Sequence, residues 1–119
     1  MPRAAKTAKS RQRAASEADV DPAFAPVVEA FRHDRAVTSG WMMASFGLKV
    51  NGRIFAMCPK GKFVAKLPKF RVDALVRDRV GKPFDPGHGR LMKEWIEIGG
   101  HQATWVELAR EAYQFVKNG

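Results

Sequence analysis

Phe46-Gly47-Leu48-Lys49-Val50-Asn51-Gly52-Arg53-Ile54-Phe55-Ala56-Met57-Cys58 is the stretch that decides the fold. Apolar residues alternate with small or charged ones on either side of Asn51-Gly52. That pair suits a type I′ hairpin turn, because both central residues of the turn need positive φ. A two-residue loop sets Val50 opposite Arg53, Leu48 opposite Phe55 and Phe46 opposite Met57. Phe46, Leu48, Phe55 and Met57 then fall on one face of an antiparallel pair.

Working outward, a turn around Lys60-Gly61 leads into a third strand, Lys62 to Leu67, in which Phe63, Ala65 and Leu67 oppose Lys62, Val64 and Lys66. A three-residue connection would set the apolar trio beside Phe55 and Met57, and a two-residue one beside Ile54, Ala56 and Cys58. The longer loop is expected, with a bulge at or near Gly61. Pro68 closes the strand. A helix over about 71–80 buries Val72, Leu75, Val76 and Val80, with Asp73 early and Arg77 and Arg79 late to suit its dipole. Gly81 reads as the left-handed residue that ends it, with Pro83 just beyond.

Residues 85–90 read as an exposed loop and 91–98 as a strand ended by Gly99-Gly100. Thr104 and Glu107 form a capping box for a last helix whose stripe is Trp105, Leu108, Ala109, Ala112, Phe115 and Val116. On the other side of the hairpin, Phe24, Val27, Val28 and Phe31 follow helical spacing, and Pro26 places the start of that helix near Ala25. Trp41, Met42 and Met43 precede the first strand; packing under this helix is expected, the alternative being an exposed partner-binding patch. The architecture expected is α+β in two layers: an antiparallel sheet of four to five strands, an N-terminal helix, a middle helix after the three-stranded meander, and a C-terminal helix.

The chain has 119 residues, 45% of them hydrophobic, which suffices for one domain with its own core. Its formal charge of +9 is unevenly spread. Arg3, Lys6, Lys9, Arg11 and Arg13 all precede the first acidic residue, Glu17, without a large apolar side chain among them. Such a segment buries too little to offset its ordering entropy, so residues 1–20 are expected to be a disordered basic leader and residues 21–119 the domain. The leader fits an organelle transit peptide, a phosphate-binding arm or a solvated tail. The solvated tail demands least, and Met1 alone gives no amphipathic face for a membrane. The single cysteine, Cys58, permits no intrachain disulfide and fits a reducing compartment. No apolar run approaches the roughly 18 residues of a membrane span. A cytoplasmic location is the default.

Candidate chemistry is sparse. His33, His88 and His101 share no ligand spacing with each other or with Cys58, so no metal or cofactor is expected. Gly61-Lys62 is followed by Phe63 and joins two strands, unlike a phosphate loop, which opens a helix. Glu94 and Glu97 lie three apart on a strand and point to opposite faces, so they form no carboxylate pair. The basic strip Lys60, Lys62, Lys66, Lys69 and Arg71 is the feature with chemical content. Together with the leader cations and Phe70 it could hold phosphates and stack a base; alternatively its lysines discourage strand addition at an edge.

Order and residues together resemble the N-terminal domain of the TfoX/Sxy competence-regulator family, including its stand-alone single-domain members. The resemblance runs over about residues 38–117. It rests on Phe46-Gly47-Leu48, Val50-Asn51-Gly52-Arg53-Ile54-Phe55-Ala56, Lys62-Phe63, Lys66-Leu67, Lys82-Pro83-Phe84, Met92-Lys93-Glu94-Trp95 and Leu108-Ala109-Arg110. Where the family usually has Met-Phe-Gly-Gly, this chain has Met42-Met43-Ala44-Ser45, and the family's further C-terminal helical domain has no counterpart after the last helix. The resemblance implies a bacterial cytoplasmic protein with a link to transcriptional regulation, as TfoX-like proteins are associated with cyclic-AMP receptor protein at competence genes. The expected function is therefore a non-enzymatic regulatory or protein-interaction module with a protein partner. The alternative is sequence-independent nucleic-acid binding through the leader and the Lys60–Arg71 strip.

Overall fold

The computed structural model describes residues 20–42, 45–87, 89 and 91–119. Residues 1–19 of the expected leader, with Met43, Ala44, His88 and Arg90, lie outside the described residues. The chain folds as helix α1 (Ala25–Ala30), strands β1 (Val37–Met42), β2 (Ser45–Val50), β3 (Arg53–Cys58) and β4 (Phe63–Lys66), helix α2 (Lys69–Arg77), strands β5 (Lys82–Phe84) and β6 (Met92–Ile98), and helix α3 (Trp105–Asn118). All six strands form one antiparallel sheet in the order β1-β2-β3-β4-β6-β5. Helix α3 lies across β2, β3 and β4 and touches α1, while α2 packs on β5 and β6. The expected α+β two-layer architecture is present, and β1 and the short β5 bring the sheet to six strands. Among the described residues no helix is long and apolar enough to cross a membrane.

The turn at Asn51-Gly52 has positive φ at both residues, 52° and 83°, and Val50 pairs with Arg53 as its type demands. The register then slips at a bulge between Leu48 and Lys49, so that Leu48 faces Ala56, Gly47 faces Met57 and Phe46 faces Cys58. The expected pairs Leu48–Phe55 and Phe46–Met57 do not form. A bulge lets two neighbouring residues of one strand serve a single position of the other. Phe55 and Ala56 both become fully buried, and Phe55 makes edge contacts with Tyr113 of α3 and with Phe31. Phe46, Leu48 and Phe55 thus reach the core under the helices, whereas Met57 turns with Gly47 to the opposite face.

The β3–β4 connection also differs from the expected three-residue loop. β3 ends at Cys58 and β4 begins at Phe63, with a 3₁₀ turn over Pro59–Gly61 between them. Lys60 and Gly61 both adopt positive φ there, 52° and 78°. This even-length connection sets Ala65 opposite Ala56 and Val64 opposite Met57. The trio Phe63, Ala65 and Leu67 therefore joins Ala56 and Cys58 in the core instead of Met57, and all three are fully buried.

One cluster unites both layers. Phe63 stacks on Trp105 with ring centres 5.3 Å apart and meets Phe24 at 6.4 Å. The buried indole N–H of Trp105 donates to the Gly100 carbonyl at 2.8 Å, which removes the cost of an unpaired donor. The stripe of α3 is buried through Trp105, Leu108, Ala109, Ala112 and Val116, with Tyr113 added and Phe115 left half-buried. Thr104 occupies the N-cap position, but its hydroxyl donates backward to the His101 carbonyl at 2.7 Å, so the expected capping box does not form. The preceding 3₁₀ turn, Gln102–Thr104, holds Thr104 in helical φ and ψ, which aims its oxygen away from the helix amides.

Helix α2 starts earlier than expected, at Lys69 directly after Pro68. At its other end Arg79, not Gly81, takes the left-handed conformation, with φ 62°. The Arg79 N–H donates to the Val76 carbonyl and the Val80 N–H to the Leu75 carbonyl, the paired bonds of a Schellman ending. Gly81 serves close approach instead, since a Cβ there would lie 2.6 Å from the Glu97 carbonyl oxygen.

Candidate functional site

With the helices on one side, the other side of the sheet is uncovered by any described helix. Alternation and pairing place Lys49, Ile54, Met57, Lys62, Val64, Lys66, Lys82, Trp95 and Glu97 there, with Val64 at the centre fully buried among its neighbours. Its charge is lopsided, with Lys49, Lys62, Lys66 and Lys82 against Glu97. Glu97 is shared by two of the lysines, lying 3.7 Å from Lys62 Nζ and 3.8 Å from Lys82 Nζ. Lys66 Nζ sits 5.8 Å above the Trp95 ring and 3.9 Å from Glu94.

At the hairpin end of this face the surface dips into a groove of about 570 Å³. Ile54, Trp95, Phe115 and Val116 supply its apolar wall, and Lys49, Arg53 and Lys66 its basic margin, with Glu94 among them. Arg53 is fixed by donating to the Val116 carbonyl at 2.9 Å, a cation at the carbonyl end of α3 where the helix dipole favours it. Phe115 is half-buried because it separates this groove from a second one of about 630 Å³, formed with Pro68, Phe70 and Gln114. Phe70 is 75% exposed, the largest exposure of any big hydrophobic side chain described.

The strip Lys60, Lys62, Lys66, Lys69 and Arg71 is divided between the two layers. Lys60 is exposed in the 3₁₀ turn, and Lys62 and Lys66 belong to the open face. Lys69 pairs within α2 with Asp73 at 2.8 Å. Arg71 grips Glu111 of α3 with two bonds, 2.8 and 3.1 Å, and that carboxylate raises the guanidinium pKa further. Lys62, Lys66, Lys69 and Arg71 each have an acidic neighbour. Arg3, Lys6, Lys9, Arg11 and Arg13 lie outside the described residues.

Elsewhere, burial and the charge of Asp21 push the Cys58 thiol up to about 11, only partly offset by the Gly61 N–H, so it is held as the inert thiol at neutral pH. His33 and His101 are both exposed. Among the described residues no group of three His, Cys, Asp or Glu side chains is placed to hold a metal ion.

Sequence reasoning named Trp95 only as a strand residue and put Phe115 in the core, so the groove went unread. Part of a signal was available: Lys66 and Trp95 alternate with Ala65 and Ile96, which marks them as outward, whereas Ile54 shares the parity of Ala56 and is turned outward only by the bulge at Leu48/Lys49. No family model matches the chain, and neither a curated protein nor a solved structure matches it.

Proposed function

We propose that this chain is a non-enzymatic protein-interaction module whose open sheet face and Trp95 groove receive an acidic polypeptide segment bearing an apolar anchor. The observation that carries this reading is the groove itself, apolar at its wall through Ile54, Trp95 and Phe115 and basic at its margin through Lys49, Arg53 and Lys66. Apolar anchors in a pocket supply most of the binding energy of such contacts, and a charged rim selects the partner's sign. The resemblance to the TfoX/Sxy N-terminal domain would make that partner a component of transcriptional regulation in a bacterial cytoplasm.

Binding of nucleic acid is the second reading, favoured by the excess of lysines on the open face. Against it, Trp95 lies half-buried with Lys66 above one face of its ring, so it presents less ring surface for a base to stack on than an exposed aromatic would. A displayed random-peptide library selected on the wild-type protein tests the choice. The protein reading expects enrichment of acidic sequences with one aromatic or aliphatic anchor, and Trp95→Ala is expected to weaken the selected peptides about thirtyfold. If no acidic class is enriched over the Trp95→Ala protein, the reading fails. If a mixed-sequence single-stranded oligonucleotide binds with steep salt dependence and Lys62→Glu abolishes this, the nucleic-acid reading replaces it.

A further inference from the structure

The two edges of the sheet are built on opposite plans. β5 is a three-residue edge, Lys82-Pro83-Phe84, and its shortness, charge and proline are devices that stop another strand from adding. β1 is a six-residue edge, Val37-Thr38-Ser39-Gly40-Trp41-Met42, without a charge or a proline. The Asn51 N–H donates to the Ala36 carbonyl, so alternation turns the backbone groups of Thr38 and Gly40 toward β2 and those of Val37 and Ser39 outward. The Val37 N–H is used by the Asp34 carbonyl at 3.1 Å. The Val37 carbonyl and both backbone groups of the exposed Ser39 face away from the sheet.

We propose that β1 is a dimerisation edge, to which a second copy of this chain adds its own β1 in antiparallel sense about a two-fold axis at Ser39. In that register the two Ser39 residues exchange a pair of backbone hydrogen bonds. Val37 of each copy lies opposite Trp41 of the other, on the helix side of the sheet, because Val37, Ser39 and Trp41 pair with the core residues Val50, Leu48 and Phe46. A β-branched residue facing an aromatic one is a favourable cross-strand pair. The centre is unobstructed, since Ser39 is small and exposed and a Cβ on Gly40 would meet nothing within 4 Å. The strand is thus complementary to its own reverse, as a two-fold interface requires. The chain's own residues 1–19, rich in Ala, Lys and Arg, are poor strand formers and a weak candidate for the place. Joined this way, the open faces of two molecules become one continuous surface, independent of what the Trp95 groove binds.

Sedimentation velocity on the full chain across a wide concentration range tests this. The wild-type protein is expected to approach twice the 13.3 kDa of the chain as concentration rises. Ser39→Lys puts a charge at the axis, and Ser39→Pro removes the outward donor without touching the β1–β2 ladder. Each is expected to weaken the dimer by at least about tenfold while circular dichroism stays unchanged. Lys82→Ala at the other edge is expected to leave it intact. A wild-type protein that stays at the mass of one chain throughout overturns the proposal, including when it takes up an unrelated extended peptide instead. So does a Ser39→Lys dimer as tight as the wild type.

Discussion

Gly81→Ala adds one methyl group at the point where the chain leaves α2 and enters β5. The new Cβ would stand 2.6 Å from the Glu97 carbonyl oxygen, 2.8 Å from Ile98 Cγ1 and 3.1 Å from Ile96 Cδ1. Ile96 can turn its terminal methyl away. The Glu97 carbonyl cannot move alone, because Glu97 is paired with Val64 of β4 and Lys82 of β5, and Ile98 is fully buried. Relief therefore requires the start of β5 to back off by roughly half an ångström or more, and overpacking of this kind costs about 2–3 kcal/mol. For a domain of this size that corresponds to a fall in melting temperature on the order of 10–20 °C. The assay is thermal unfolding followed by circular dichroism, with urea titration as a second measure. Gly100→Ala is the control, since a Cβ there meets nothing within 4 Å, and it is expected to change stability by no more than about 0.5 kcal/mol. Should the two variants melt within a few degrees of each other, the close crossing of chain at Gly81 is refuted.

Cys58 is expected to resist thiol reagents in the folded protein at neutral pH, with modification rising only as pH approaches about 11 or as denaturant unfolds the chain; fast labelling at pH 7 would contradict its burial. Asp34 accepts a 2.6 Å bond from the Tyr113 hydroxyl and a backbone bond from Ala36, which hold its carboxyl below its ordinary 3.8. A depressed carboxyl pKa contributes stability that is present above its unfolded value and disappears as pH falls through the folded one. Tyr113→Phe is accordingly expected to be less stable than wild type at neutral pH, and the gap in urea midpoint to narrow once pH drops below about 3.8. A gap that stays constant from neutral to strongly acid solution would rule out this linkage.

Asn51-Gly52 shows what a sequence can disclose, because the turn chemistry is local and both residues carry their preference with them. The bulge at Leu48/Lys49 was hidden for the opposite reason. Nothing in either strand requires it, and it is set by bringing Phe55 between Phe31 and Tyr113, residues that lie far away along the chain. Strand β1 was unread because Thr38-Ser39-Gly40 lacks large alternating side chains; its pairing comes from β2 and from the Asp34 turn that feeds it. Gly81 was visible as important, but a glycine looks the same whether it supplies a left-handed φ or room for a neighbour. The basic strip looked continuous along the chain, yet Pro68 separates a strand from a helix. Lys62 and Lys66 then face one way, while Arg71 reaches Glu111 in the helix layer. The groove needed the C-terminal helix beside the hairpin, a juxtaposition no short-range pattern announces.

Helix α3 also governs when this protein can fold during its own synthesis. Trp105, Leu108, Ala109, Ala112, Tyr113 and Val116 roof the sheet, and the six-residue α1 at the other end of the domain leans on that roof. A helix so short has no standing on its own. A nascent chain still lacking this helix leaves Phe55 without Tyr113 and Phe63 without Trp105, so the core cannot close before α3 is in place.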